Sequence, residues 1–235
     1  AVGLMQINSG LNFFFGLPID GVTVFAIAAI MVTVYVVSCL TGIKKGMRVL
    51  SSFCTIVFIG LMVYVLCLGP TRFIVDAGTE SLGVFFNRFF EHSVILPTMA
   101  GNETWSKSWI IMFMASFFVY APIIGLFLAR LGKGRTVREF IFMNIGAPTL
   151  FCIVWIAIWG GTTVWLQYTG IMDVWQSVNE KGLEVTIFTI LSTLPFAKIL
   201  AAFFIIAVFF SFSTMADSIT GTMATLSTKN LSVDD

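Results

Sequence analysis

Charge is scarce in this sequence. Only 11% of its 235 residues are Asp, Glu, Lys or Arg, against about 25% in an ordinary soluble domain. The net charge is +1, which gives no basis for a nucleic-acid partner. Histidine is nearly absent. His92 stands alone, so a histidine-based triad or a multi-histidine metal site is excluded. The four cysteines, Cys39, Cys54, Cys67 and Cys152, fall in apolar stretches and form no CxxC pair. They suggest neither a disulfide framework nor a metal centre, and read as small buried hydrophobes. No Walker loop, GxSxG elbow or paired intramembrane carboxylate occurs. The sequence therefore predicts no enzyme and no organic cofactor, and leaves a carrier or channel.

What fills the chain is hydrocarbon. Hydrophobic residues make up 58% and aromatic ones 15%, and the mean hydropathy is +0.98. Residues 22–43, 49–71, 108–129 and 140–172 hold no Asp, Glu, Lys or Arg, and a fifth run, 199–223, holds only Asp217. A helix needs roughly 20 residues to cross about 30 Å of hydrocarbon. Apolar runs of that length in lipid must be helical, because each backbone polar group needs a partner within the segment. The expectation is an all-α integral membrane protein, residues 1–235 being one transmembrane domain. Its spans are placed at about 22–43, 49–71, 108–129, 140–167 and 194–223. Residues 1–16 are apolar but too short to span. With a start at Ala1 they read as the second half of a truncated helix, and the chain as a piece of a longer protein.

Basic residues cluster in two short links: Lys44, Lys45 and Arg48, then Arg130, Lys133, Arg135 and Arg138. If each long run crosses once, both links share a side, and that side is cytoplasmic. The other side takes Asp20, Asp76, Glu80, Glu91, Glu103, Asp173, Glu180 and Glu184. The basic inner face can meet anionic membrane lipid. Between 78 and 92, Leu82, Phe85, Phe86, Phe89 and Phe90 recur at helical spacing, with Glu80, Asn87, Arg88 and Glu91 opposite. That pattern fits an amphipathic helix lying in the outer interface, or one packed on the rest of the protein.

Three places break the apolar monotony. In 108–129, Ser116, Pro122 and Gly125 fall mid-span. Pro122 removes a helical N–H near the carbonyl of Phe118, and broken helices at mid-membrane are where transporters place their cargo. Phe117 and Tyr120, three apart on one face, could hold a cation over their rings, or could simply pack. Gly160 and Gly161 let helices approach closely or break one. Late in the last run, Ser211, Ser213, Thr214 and Ser218 surround Asp217. Hydroxyls there can ligate a hard cation or bond to their own helix backbone. Asp217 either reaches the inner interface or pairs with a basic residue.

GLFLARLGKGRTVREF (125–140) closely resembles the cytoplasmic loop of the betaine/choline/carnitine transporter family. LMQINSGLNFFFG (4–16), LTGIKKGMRVLS (40–51) and MADSITGTM (215–223) resemble further stretches of that family, in its order and spacing, over essentially the whole chain. The resemblance implies a twelve-helix secondary transporter of the bacterial inner membrane. Its fold would be the LeuT-like inverted repeat, often trimeric, of which this chain covers roughly the fifth to tenth helices. It also implies a small zwitterionic or quaternary-ammonium substrate, and Na⁺ as the coupling ion of a symporter working by alternating access. A substrate/product antiporter, or a membrane protein that senses osmolytes without concentrating them, are the alternatives.

By the same resemblance, 108–129 is the substrate-lining helix, whose family pattern is W-T-x-F-Y-W-x-W-W. Trp109 matches the first Trp. Met114, Ser116 and Phe117 stand where later tryptophans would be, and Tyr120 keeps an aromatic at the next contact. The expected substrate contacts are therefore Trp109, Met114, Ser116, Phe117 and Tyr120, in a thinned aromatic box. Na⁺-coupled members have Thr-Ser before Ala-Asp-Ser. Here Thr214 is the expected Na⁺ ligand and Met215 replaces the Ser. Sodium-independent members place an Arg where this chain has Cys54.

Overall fold

The computed structural model describes residues 2–41, 44–93 and 111–227. They are helical almost throughout, with no strand among the described residues. The helices are α1 (Val2–Phe15), α2 (Gly21–Thr41), α3 (Lys44–Leu68), α4 (Thr71–Ser93), α5 (Met112–Leu131), α6 (Val137–Ile141), α7 (Ala147–Tyr168), α8 (Val174–Lys181), α9 (Thr186–Ser192) and α10 (Ala197–Ser227). A π-helical turn, Phe142–Gly146, joins α6 to α7, and a 3₁₀ turn, Leu183–Val185, leads into α9. Four described stretches are long and apolar enough to cross a membrane: Val49–Leu68, Met112–Ala129, Val137–Tyr168 and Ala197–Ala224. Gly21–Val36 and Leu183–Ser192 are shorter apolar helices.

Helix ends differ from the apolar runs where local chemistry intervenes. α3 begins at Lys44 because backbone bonding continues through its basic first turns, where hydropathy has already fallen. It stops at Leu68, short of Thr71, because Gly69 and Pro70 end it. The Gly69 N–H donates to the Val65 carbonyl (2.8 Å), and a Cβ at Gly69 would press on that oxygen. α4 then starts at Thr71 instead of near 78. It has a non-helical residue, Arg88 (φ −110°, ψ 15°), beneath its aromatic stretch.

The chain forms two compact units. Unit 1, Ala1–Gly78 with Thr149–Asp217, has the main core. A run of rings ties five helices together: Phe13 on Phe188 (5.9 Å), Phe188 on Phe204 (5.7 Å), Phe204 on Phe58 (6.2 Å), Phe58 on Trp155 (5.8 Å) and Trp155 on Trp159 (5.4 Å). Edge and offset ring contacts add to the burial of area itself. Val65, Ile74, Leu166, Ile190, Leu191 and Ala201 fill the space around them. α7 runs unbroken through Gly160 and Gly161, so of the two readings of that pair, close approach is the one realised. Gly161 lies 3.4 Å, at its Cβ position, from the Ile74 Cα, and Gly78 faces the Ala157 Cβ at 3.2 Å. The Tyr64 hydroxyl donates to the Pro195 carbonyl (2.6 Å) and pins the turn before α10.

Unit 2, Thr79–Pro148 with Ser218–Asp235, is thinly packed. Leu82, Phe85, Phe86, Phe89 and Phe90 of α4 are all exposed, with Phe85 edge-on to Phe86 and Phe89, and Phe89 edge-on to Phe90. α6 is started by a capping box. The Glu139 N–H donates to Thr136 Oγ1 (3.3 Å), and the Thr136 N–H donates to Glu139 Oε2 (3.0 Å). This satisfies two of the N–H groups that a helix start leaves unpaired. Asn144 donates to the Phe140 carbonyl (2.8 Å) within the widened turn that follows.

Candidate functional site

The expected substrate contacts divide by position. Met114, Ser116, Phe117 and Tyr120 all lie on α5 in unit 2; Trp109 lies outside the described residues. Met114, Phe117 and Tyr120 follow at steps of three, which keeps them on one side of the helix. Their side chains are open: Phe117 is 67% and Tyr120 50% exposed. No residue of the Met112–Ala129 span is buried, so both rings keep faces free for a ligand or for another part of the protein. Ser116 spends its proton on its own helix, donating to the Met112 carbonyl (2.7 Å). Pro122 lies inside α5 without ending it, and brings no N–H to the Phe118 carbonyl.

Thr214 belongs to unit 1, on α10. Its hydroxyl donates to the Phe210 carbonyl (2.8 Å), and Ser213 does the same to Phe209 (2.8 Å). Backbone bonding is thus the state of both hydroxyls here. A donating hydroxyl still keeps oxygen lone pairs, so Thr214 can serve a cation without breaking that bond. Among the described residues no three His, Cys, Asp or Glu side chains converge, so a cation here would depend on hydroxyl and carbonyl oxygens. The other position of interest, Cys54, is buried on α3, and its thiol donates to the Ala207 carbonyl (3.4 Å). Ala207 is seven residues before Thr214 on the same helix, or roughly 10 Å along its axis at 1.5 Å per residue. The two positions that the resemblance singles out therefore sit on one packed helix pair.

Sequence reasoning passed over Asn8. It is fully buried in α1, and neither Nδ2 nor Oδ1 has a hydrogen-bond partner among the described residues. The available signal was the polar run Gln6, Asn8, Ser9 inside an apolar helix.

The family model described as "BCCT, betaine/carnitine/choline family transporter" matches residues 1–234. The chain belongs to the betaine/carnitine/choline transporter family. Members of this family are transporters and not enzymes, and with four membrane-crossing stretches the chain is a multi-pass membrane protein. Among its relatives are the ectoine/hydroxyectoine transporter of Virgibacillus pantothenticus, 32% identical over 93% of this chain and 43% of that protein. The glycine betaine transporter OpuD of Bacillus subtilis is 31% identical over 93% of this chain and 42% of its own length. An osmo-dependent choline transporter of Acinetobacter baylyi is 34% identical over 69% of this chain and 24% of its own. The chain spans less than half the length of these curated relatives.

Proposed function

We propose that the complete protein is a secondary transporter of betaine-, choline- or carnitine-type osmolytes. It would work by alternating access in a LeuT-like inverted-repeat fold, coupled to Na⁺. The observation that carries the reading, beside family membership, is the open aromatic face of α5. Phe117 and Tyr120 offer two ring faces at one helical spacing, and a quaternary ammonium has no N–H, so ring faces suit it better than hydrogen-bond acceptors. Met114 and Ser116 supply less ring area than tryptophans would. Within that class this favours a compact zwitterion over a larger one. Thr214 contributes one oxygen to the coupling ion. The basic links are cytoplasmic, and the trimer implied by the resemblance is part of the same proposal.

The test is uptake of labelled glycine betaine, choline and ectoine by the full-length protein in proteoliposomes. Tyr120→Ala should weaken substrate affinity by roughly thirtyfold, since a desolvated cation–π contact contributes on the order of 2 kcal/mol. Phe127→Ala, about two turns further along the same helix toward its cytoplasmic end, should change it little. Equal, small effects at both positions would reduce the α5 face to packing.

A further inference from the structure

Unit 1 has a place where charges of both signs meet aromatic rings. The turn from α3 to α4 and the C-terminal half of α7 form an open groove of about 470 Å³, lined by Pro70, Thr71, Arg72, Phe73, Asp76 and Trp165. Its floor is rigid. Ile74 and Leu166, next in sequence to the lining residues Phe73 and Trp165, are 2% and 1% exposed. The turn is tied by the Thr71 hydroxyl, which donates to the Leu66 carbonyl (2.5 Å). Gly161 lets α7 come against Ile74 and so brings Trp165 to the start of α4. Arg72 and Asp76 are one turn apart on α4, with Nε and Oδ2 3.8 Å from each other and side chains 97% and 71% exposed. A pair this long and this exposed holds itself weakly, so one ligand can engage both charges.

We propose that this groove binds a small zwitterion carrying a quaternary ammonium and a carboxylate. The carboxylate lies on the Arg72 guanidinium, which offers it a planar fork of donors. The ammonium lies between the Asp76 carboxylate and the rings of Trp165 and Phe73. Arg72 repels a cation that lacks a carboxylate, and Asp76 repels a carboxylate that lacks a cation. The groove thus selects the zwitterion over choline, a discrimination that the aromatic face of α5 does not supply by itself. With the basic links inside, the groove opens to the outer solution. The choice of ligand rests on the transport reading; the selection rule rests on the groove alone.

Equilibrium dialysis of labelled glycine betaine against the full-length protein in nanodiscs tests it. Two saturable sites per chain are expected. Arg72→Gln with Asp76→Asn should abolish one and leave the other, and both residues are exposed enough for the exchange to spare the core. Trp165→Phe, which keeps a packed ring, should weaken the same site about fivefold. Choline should compete only at the other site, and Tyr120→Ala should weaken only that other site, by roughly thirtyfold. No binding, or one or two sites indifferent to the Arg72 and Asp76 changes, overturns the groove. In the parent protein, a single site that is lost with the Arg72 and Asp76 changes and is indifferent to Tyr120→Ala overturns the transport reading instead.

Discussion

Gly10→Ala should destabilise the protein although it adds a better helix former. Gly3 and Gly10 are seven residues apart on α1 and so share a face. A Cβ on Gly3 would run into the Phe212 ring. One on Gly10 would run into the Ile205 side chain and stand 2.8 Å from Phe188 Cζ. Phe188 cannot swing aside, being 2% exposed and held between Phe13 and Phe204. Forcing a methyl into such a site costs about 1–3 kcal/mol. Replacing a helical Gly by Ala returns about 1 kcal/mol, so the net should be a loss of up to about 2 kcal/mol. Gly60, in the middle of α3, has nothing within 4 Å of its Cβ position. Gly60→Ala should therefore show only the gain. Heating the purified full-length protein in detergent, and following the surviving monodisperse fraction by size exclusion, gives both signs in one assay. Trimming Ile205 to Ala should cost less in the Gly10→Ala background than in the parent, because it makes room for the new methyl. If Gly10→Ala is as stable as the parent, or if the Ile205 effect is the same in both backgrounds, close α1–α10 packing is not what that glycine provides.

Asp20 caps α2, and its carboxylate is held below the ordinary value by bonds from the Thr23 hydroxyl and then the Thr23 N–H (2.9 Å). A depressed carboxylate stabilises the fold above the unfolded pKa of about 3.9 and loses that contribution as pH falls through its lower folded value. Asp20→Asn keeps a capping oxygen but cannot titrate, so melting profiles of parent and variant should converge below pH about 4; parallel profiles would refute the assignment. Thr214→Val should reduce the apparent Na⁺ affinity of uptake while the protein still inserts. Full-rate transport without Na⁺, unchanged by the variant, would point to exchange or proton coupling. A cysteine placed at Lys133 should react with an impermeant thiol reagent only from inside the cell, and labelling from outside would invert the topology.

The helical, membrane-embedded character of this chain was legible before any coordinate. Hydrocarbon leaves a spanning segment no other way to satisfy its backbone, and charge-free runs mark such segments directly. Local chemistry was equally open to reading. The Phe117–Tyr120 face of α5 follows from a spacing of three residues, whereas the Thr136–Glu139 box and the Gly69-Pro70 stop rest on spacings as short but were passed over by a reading of apolar runs. Whether Gly160 and Gly161 break a helix or let one approach, and whether the hydroxyls of 211–218 turn to a ligand or to their own backbone, could not be read that way. Tertiary structure alone brought Cys54 to Ala207, Tyr64 to Pro195, and Trp165 to Arg72 and Asp76. Periodicity within a helix is set by its own geometry and needs no neighbour. Which helix meets which, and at what height, depends on side-chain volumes and glycine gaps from residues far apart in the sequence, and those are matched only when the chain has packed.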